Sequence, residues 1–143
     1  MTDRIALPEC QRWLAGVWFV GSFVVFAILV MQTILGKYGG EVGRAWSWFL
    51  PTIMPTLSLI VGAVAYEARH QQTATVSHLA FRISFWLSVV YLALVLTVFL
   101  GQPFSGMTPL GLMQVSNLFL GPIQGLLGLA LGVFFVSRQT SNP

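Results

Sequence analysis

The sequence predicts an all-α integral membrane protein: a four-helix transmembrane bundle, up-down-up-down, with its second helix kinked at Pro51 and Pro55. Three observations carry that expectation. Of the 143 residues, 56% are hydrophobic and only 8% are charged, where soluble domains carry about a quarter charged residues. The charges are clustered: Asp3, Arg4, Glu9 and Arg12, then Lys37, Glu41 and Arg44, then Glu67, Arg69 and Arg82, then Arg138. Between the clusters lie uncharged runs, each near the ~20 residues that cross a bilayer core. The mean hydropathy of +0.81 agrees. The runs predict spans at 13–35, 46–66, 83–101 and 118–137, in one transmembrane domain covering 1–143.

The first span follows a short polar lead and carries Trp13 and Trp18 near its start, where amphipathic rings favour the membrane interface. Its apolar run exceeds that of a secretory signal, and no small-residue cleavage site follows, so it is expected to be retained. Residues 36–44 are rich in glycine and form a turn.

The second span opens with Trp46 and Trp48 and contains Pro51 and Pro55. Each proline lacks an N–H and crowds the carbonyl four residues back, freeing the carbonyls of Ser47 and Pro51. Such groups are tolerated in a bilayer only when neighbouring helices, hydroxyls or water satisfy them. Thr52, Thr56 and Ser58 are close enough in sequence to help. The helix is therefore expected to kink or unwind for a turn. The freed carbonyls, with Thr52 and Thr56, either shape the bundle or line a cavity.

A polar connection over 67–79 leads to the third helix, with Thr75 expected as its N-cap. Ser84, Ser88 and Tyr91 share one face of that helix, the small and hydroxyl-bearing composition of a helix–helix contact. The next loop contains no charge. Within it, Thr108 followed by Pro109 marks a helix start. A helix from there to Ser137 is about 43 Å long, more than the hydrocarbon needs. Residues 102–116 therefore re-enter the membrane, lie in the interface, or belong to one tilted or Pro122-kinked helix.

The charge distribution predicts orientation. The side carrying both termini and the 67–82 connection holds Arg4, Arg12, Arg69, Arg82 and Arg138, against Lys37 and Arg44 opposite. The positive-inside rule places the termini in the cytoplasm, with a bacterial inner (plasma) membrane as the expected location.

Several chemistries are disfavoured. The +3 net charge is dispersed over short clusters and offers no stripe for a phosphate backbone, so no nucleic-acid partner is expected. The single cysteine, Cys10, permits no intrachain disulfide and no CxxC pair, and is expected as a free thiol near the membrane surface. The membrane interior lacks Asp, Glu, His, Lys and Arg, the residues of proton relays and charge sensors. Glu67, Arg69, His70, His78 and Arg82 form the one polar cluster with catalytic or metal-ligating residue types. Their spacing repeats no short ligand motif, and an ordinary solvated turn accounts for them. No catalytic residue, cofactor or metal is expected, and the chain is expected not to be an enzyme.

The fourth helix is the most patterned element. At 100° per residue, Gln114, Asn117, Gly121, Gln124, Gly125, Gly128 and Gly132 fall within an arc of roughly 100°. Gly121/Gly125 and Gly128/Gly132 are tandem GxxxG pairs, which let a neighbouring backbone approach closely. Three uses are open: packing against the second or third helix, contact with another copy or a membrane partner, or lining a polar path between protomers. The leading expectation is a non-enzymatic assembly, anchoring or scaffold subunit of a membrane complex. The alternative is a homo-oligomeric pore or channel, including a membrane-permeabilising effector. The lipid bilayer is the one partner common to both.

Overall fold

The computed structural model describes residues 4–69 and 75–136. Its framework is four helices: α1 over Leu7–Ile34, α2 over Val42–Arg69, α3 over His78–Gly101 and α4 over Pro109–Val136. All four are long and apolar enough to cross a membrane. Single 3₁₀ turns, Gly39–Glu41 and Gln102–Phe104, enter the α1–α2 and α3–α4 connections. Gly36, Gly39 and Gly106 hold positive φ in these loops, a conformation glycine takes without strain.

The helices extend beyond the uncharged runs. At 28 residues, α1 is about 42 Å long, against a hydrocarbon core of roughly 30 Å. It starts at Leu7 rather than Trp13, with Pro8 in its first turn, where a missing N–H costs nothing. Cys10, Gln11 and Leu14 are buried there, so the polar lead is the first part of the helix. Cys10 is a free thiol, as expected, and is enclosed by the bundle end.

The start of α3 also differs from expectation. Thr75–Ser77 form a short strand, β2, paired antiparallel with β1, Arg4–Ala6, in the register Arg4↔Ser77, Ile5↔Val76 and Ala6↔Thr75. Thr75 therefore lies in this ribbon. The cap is Ser77, whose Oγ accepts from the Ala80 N–H at 3.2 Å. Thr108 caps α4 as expected: its Oγ1 accepts from the Gly111 N–H at 3.1 Å. From Pro109 onward α4 is one unbroken helix through Pro122, so residues 109–116 are neither a loop nor a separate segment.

Packing is closest between α1 and α2, α1 and α3, α2 and α4, and α3 and α4. The cyclic order is therefore α1, α2, α4, α3, and the α2–α3 connection crosses a diagonal of the bundle. Trp18, Leu29, Phe49, Ile53, Val95 and Leu127 are among the buried core residues. Gly21 permits a close α1–α3 approach, since a Cβ there would lie 2.7 Å from Leu92 Cδ1. The predicted contact face of α3 is buried at Ser84, Ser88 and Tyr91. Large apolar side chains also cover the outside, including Phe23, Trp86, Leu118 and Leu129. That surface suits hydrocarbon, where outward leucine and phenylalanine cost nothing.

Candidate functional site

Two features of the bundle involve the residues singled out in the sequence: a polar node where α2, α3 and α4 meet, and the outer face of α4.

The node exists because of Pro55. An α-helical carbonyl at Pro51 awaits an N–H from position 55, and proline has none. α2 nevertheless remains one α-helix through both prolines. The missing donor arrives from another helix: Gln124 Nε2 donates to the Pro51 carbonyl at 3.1 Å and lies 3.5 Å from the Thr52 carbonyl. From α3, Tyr91 Oη donates to the Thr52 carbonyl at 2.8 Å. Trp18 of α1 lies against the Tyr91 ring, with centroids 5.8 Å apart, so all four helices meet here.

Of the hydroxyls expected to help, that of Thr52 turns to its own helix, donating to the Trp48 carbonyl at 2.6 Å. On α3, Ser88 Oγ likewise donates to the Ser84 carbonyl at 2.8 Å. Thr56 is buried and Ser58 exposed. Among the described residues, three buried polar atoms make no hydrogen bond: Trp18 Nε1, Ser22 Oγ and Trp48 Nε1. The interior is thus polar but uncharged, and its polar groups tie the helices together where α2 lacks a donor.

The outer face of α4 behaves differently. The helix buries Met113, Ser116, Leu120, Leu127 and Leu131. The glycine stripe sits about 100° around the helix from that face. A Cβ built on Gly121, Gly125, Gly128 or Gly132 would meet no atom within 4 Å. Among the described residues, the tandem GxxxG pairs have no neighbouring helix packed against them. Gln114 and Asn117 are exposed on the same side, and neither makes a hydrogen bond among the described residues. Of the three amides in the stripe, only Gln124 reaches inward.

At the loop end, Gln114 joins a pocket of about 300 Å³ bordered by Lys37, Tyr38, Glu41, Arg44 and Thr108. Arg44 pairs with Glu41 at 3.0 Å. Tyr38 is buried and donates its hydroxyl to Gln32 Oε1; burial raises its pKa from the ordinary 10 to about 12.

The polar cluster of the α2–α3 connection is only partly visible. The side chains of Glu67 and Arg69, and the whole of His70, lie outside the described residues. His78 and Arg82 are exposed. Among the described residues, no group of three or more His, Cys, Asp or Glu side chains could hold a metal ion.

Comparison with known proteins returns no match among family models, curated proteins or solved structures.

The sequence marks each member of the node but not their association. Helical periodicity puts Gln124 in the outward stripe because it assigns a side chain to a sector and not to a partner. The signal that pairs it with Pro51 is a second one: a lone amide in one span, and an X-Pro break that leaves a carbonyl short of a donor in another.

Proposed function

We propose that this protein is a non-enzymatic membrane subunit that assembles through the outer face of α4, anchoring or scaffolding a complex. It traverses the membrane up-down-up-down, with α2 bent at its prolines and both termini in the cytoplasm of a bacterial inner membrane. The arginine bias towards the termini side supports that orientation.

One observation carries the assembly reading: among the described residues the α4 glycines meet nothing outside their own helix, yet they form two tandem small-residue pairs beside two amides that make no hydrogen bond there. Between helices in lipid there is no hydrophobic drive, so association rests on close backbone approach and on interhelical hydrogen bonds. An amide facing hydrocarbon gains about 0.6–1.7 kcal/mol by finding a partner. A glycine groove flanked by Gln114 and Asn117 offers both contributions to an incoming helix. A second copy of α4 supplies the same groove and the same amides, which favours a two-fold pairing of identical faces.

A pore formed by several copies is the second reading. It is favoured by Gln114 and Asn117, which are both exposed, and by the place of Gln114 in the polar pocket at the loop end. Gln124, engaged with α2, is not available to line it.

The test is association against protomer stability. Gly125→Leu and Gly128→Leu add bulk where the chain has space, so the protomer keeps its unfolding midpoint while the assembly dissociates. Assembly that survives both substitutions contradicts the proposal. Dye release from liposomes separates the two readings: a scaffold leaves them sealed, and a pore releases dye in a manner that Asn117→Leu reduces.

A further inference from the structure

A groove of about 750 Å³ lies between α1 and α3, away from the α4 stripe. Its walls change character along its length. Glu9, Arg12 and Trp13 form one end; Gly16, Val17 and Val20 continue it towards α3. Gly16 keeps the floor open, since a Cβ there would meet nothing within 4 Å. The apolar part, walled by Gly16, Val17, Val20, Gly21, Val89 and Leu92, has the composition to hold an acyl chain.

The charged end is selective. Glu9 and Arg12 are one helical turn apart on the same helix, the spacing at which opposite charges normally join. Among the described residues they do not: the ion pair found joins Arg44 to Glu41. Both are exposed at the groove mouth, in the first turns of a helix whose remainder is uncharged to Ile34. One anion acceptor and one cation acceptor therefore stand side by side at the depth of a headgroup. Trp13, two-thirds exposed, stands with them, and an indole suits that layer.

From this juxtaposition we infer that the α1–α3 groove binds one zwitterionic phospholipid with an ethanolamine headgroup. The phosphate lies on the Arg12 guanidinium, the ammonium on the Glu9 carboxylate and one acyl chain along Gly16, Val17 and Val20. The ammonium donates three hydrogen bonds, whereas a trimethylated choline donates none, so the carboxylate distinguishes them. A lipid with a glycerol headgroup satisfies Arg12 through the same phosphate but offers Glu9 only an uncharged diol and no cation. Charge-assisted hydrogen bonds of this kind, weakened by exposure to water, set an expected selectivity of about three- to tenfold.

The experiment uses the full-length protein, stripped of lipid in detergent and reloaded with phosphatidylethanolamine, phosphatidylcholine or phosphatidylglycerol. Native mass spectrometry then counts the lipids retained. One phosphatidylethanolamine is expected to survive at higher collision energy than either competitor. Arg12→Ala is expected to reduce retention of all three, and Glu9→Gln to abolish the preference over phosphatidylglycerol. Gly16→Leu fills the groove without touching the core, and is expected to displace the lipid with the unfolding midpoint unchanged. Equal retention of the three lipids, a preference for phosphatidylglycerol, or full retention in the Gly16→Leu variant would each overturn the inference.

Discussion

Restoring an N–H at position 55 should make Gln124 dispensable. In the wild-type chain the Pro51 carbonyl accepts from Gln124 Nε2 at 3.1 Å, and its own helix has no donor to offer. Gln124→Leu leaves that carbonyl unpaired at membrane depth. Stranding an acceptor away from water costs about 1–3 kcal/mol, while interhelical hydrogen bonds in a bilayer average about 0.6 and reach about 1.7. A loss of about 1–2 kcal/mol is expected, towards the upper range because no other donor among the described residues is in place. Pro55→Ala supplies the missing N–H from within α2. The Pro55 side chain is exposed, so the substitution opens no cavity in the core. In that background Gln124→Leu should cost less than about 0.5 kcal/mol, which makes the coupling about 1 kcal/mol. Tyr91→Phe provides the contrast. Its hydroxyl donates to the Thr52 carbonyl at 2.8 Å, a group that helical geometry also pairs with the Thr56 N–H, so the expected loss is only about 0.6 kcal/mol. Reversible unfolding in mixed detergent micelles measures all of these. Additive effects of Pro55→Ala and Gln124→Leu would refute the claim that Gln124 replaces a missing helical donor, as would a Tyr91→Phe loss larger than that of Gln124→Leu.

Further outcomes follow from the helix ends. Ser77→Ala should destabilise the α3 terminus by about 0.5–2 kcal/mol, as loss of an N-cap does, whereas Thr75→Ala should not reproduce a capping loss; unfolding midpoints that respond equally to both would remove Ser77 from that role. Tyr38 should resist ionisation until well above pH 10. Its pKa in the fold, about 12, lies above the ordinary value of 10, so its contribution to stability is complete below pH 10 and disappears as pH rises towards 12. Phenolate absorbance, compared between wild type and Tyr38→Phe, reads this directly, and a Tyr38 that ionises at pH 10 would contradict its burial.

The class of fold was legible because the bilayer imposes it: an uncharged run of spanning length, bounded by charges at both ends, matches the thickness of the hydrocarbon core. Helix starts were legible where a side chain marks them, as at Thr108 and Pro109. Boundaries were less so, because hydropathy measures the apolar core while α1 continues through Cys10 and Gln11 into the bundle end. The β1–β2 ribbon left no signal, since residues 4–6 and 75–77 are too short to show an alternating pattern. The α4 stripe was visible as a face, but periodicity could not say what it meets. That depends on the cyclic order of the helices, which places α2 and α3 on one side of α4 and leaves the glycines outside. The Gln124–Pro51 bond is likewise a consequence of that order.

The assembly face is tested most directly by the mass of the protein in a mild detergent. The wild type is expected as a defined oligomer and Gly125→Leu and Gly128→Leu as protomers, with the same unfolding midpoint for all three protomers. A wild type that remains a single protomer at every protein-to-detergent ratio and recovers no membrane partner would contradict it. So would glycine variants that assemble normally.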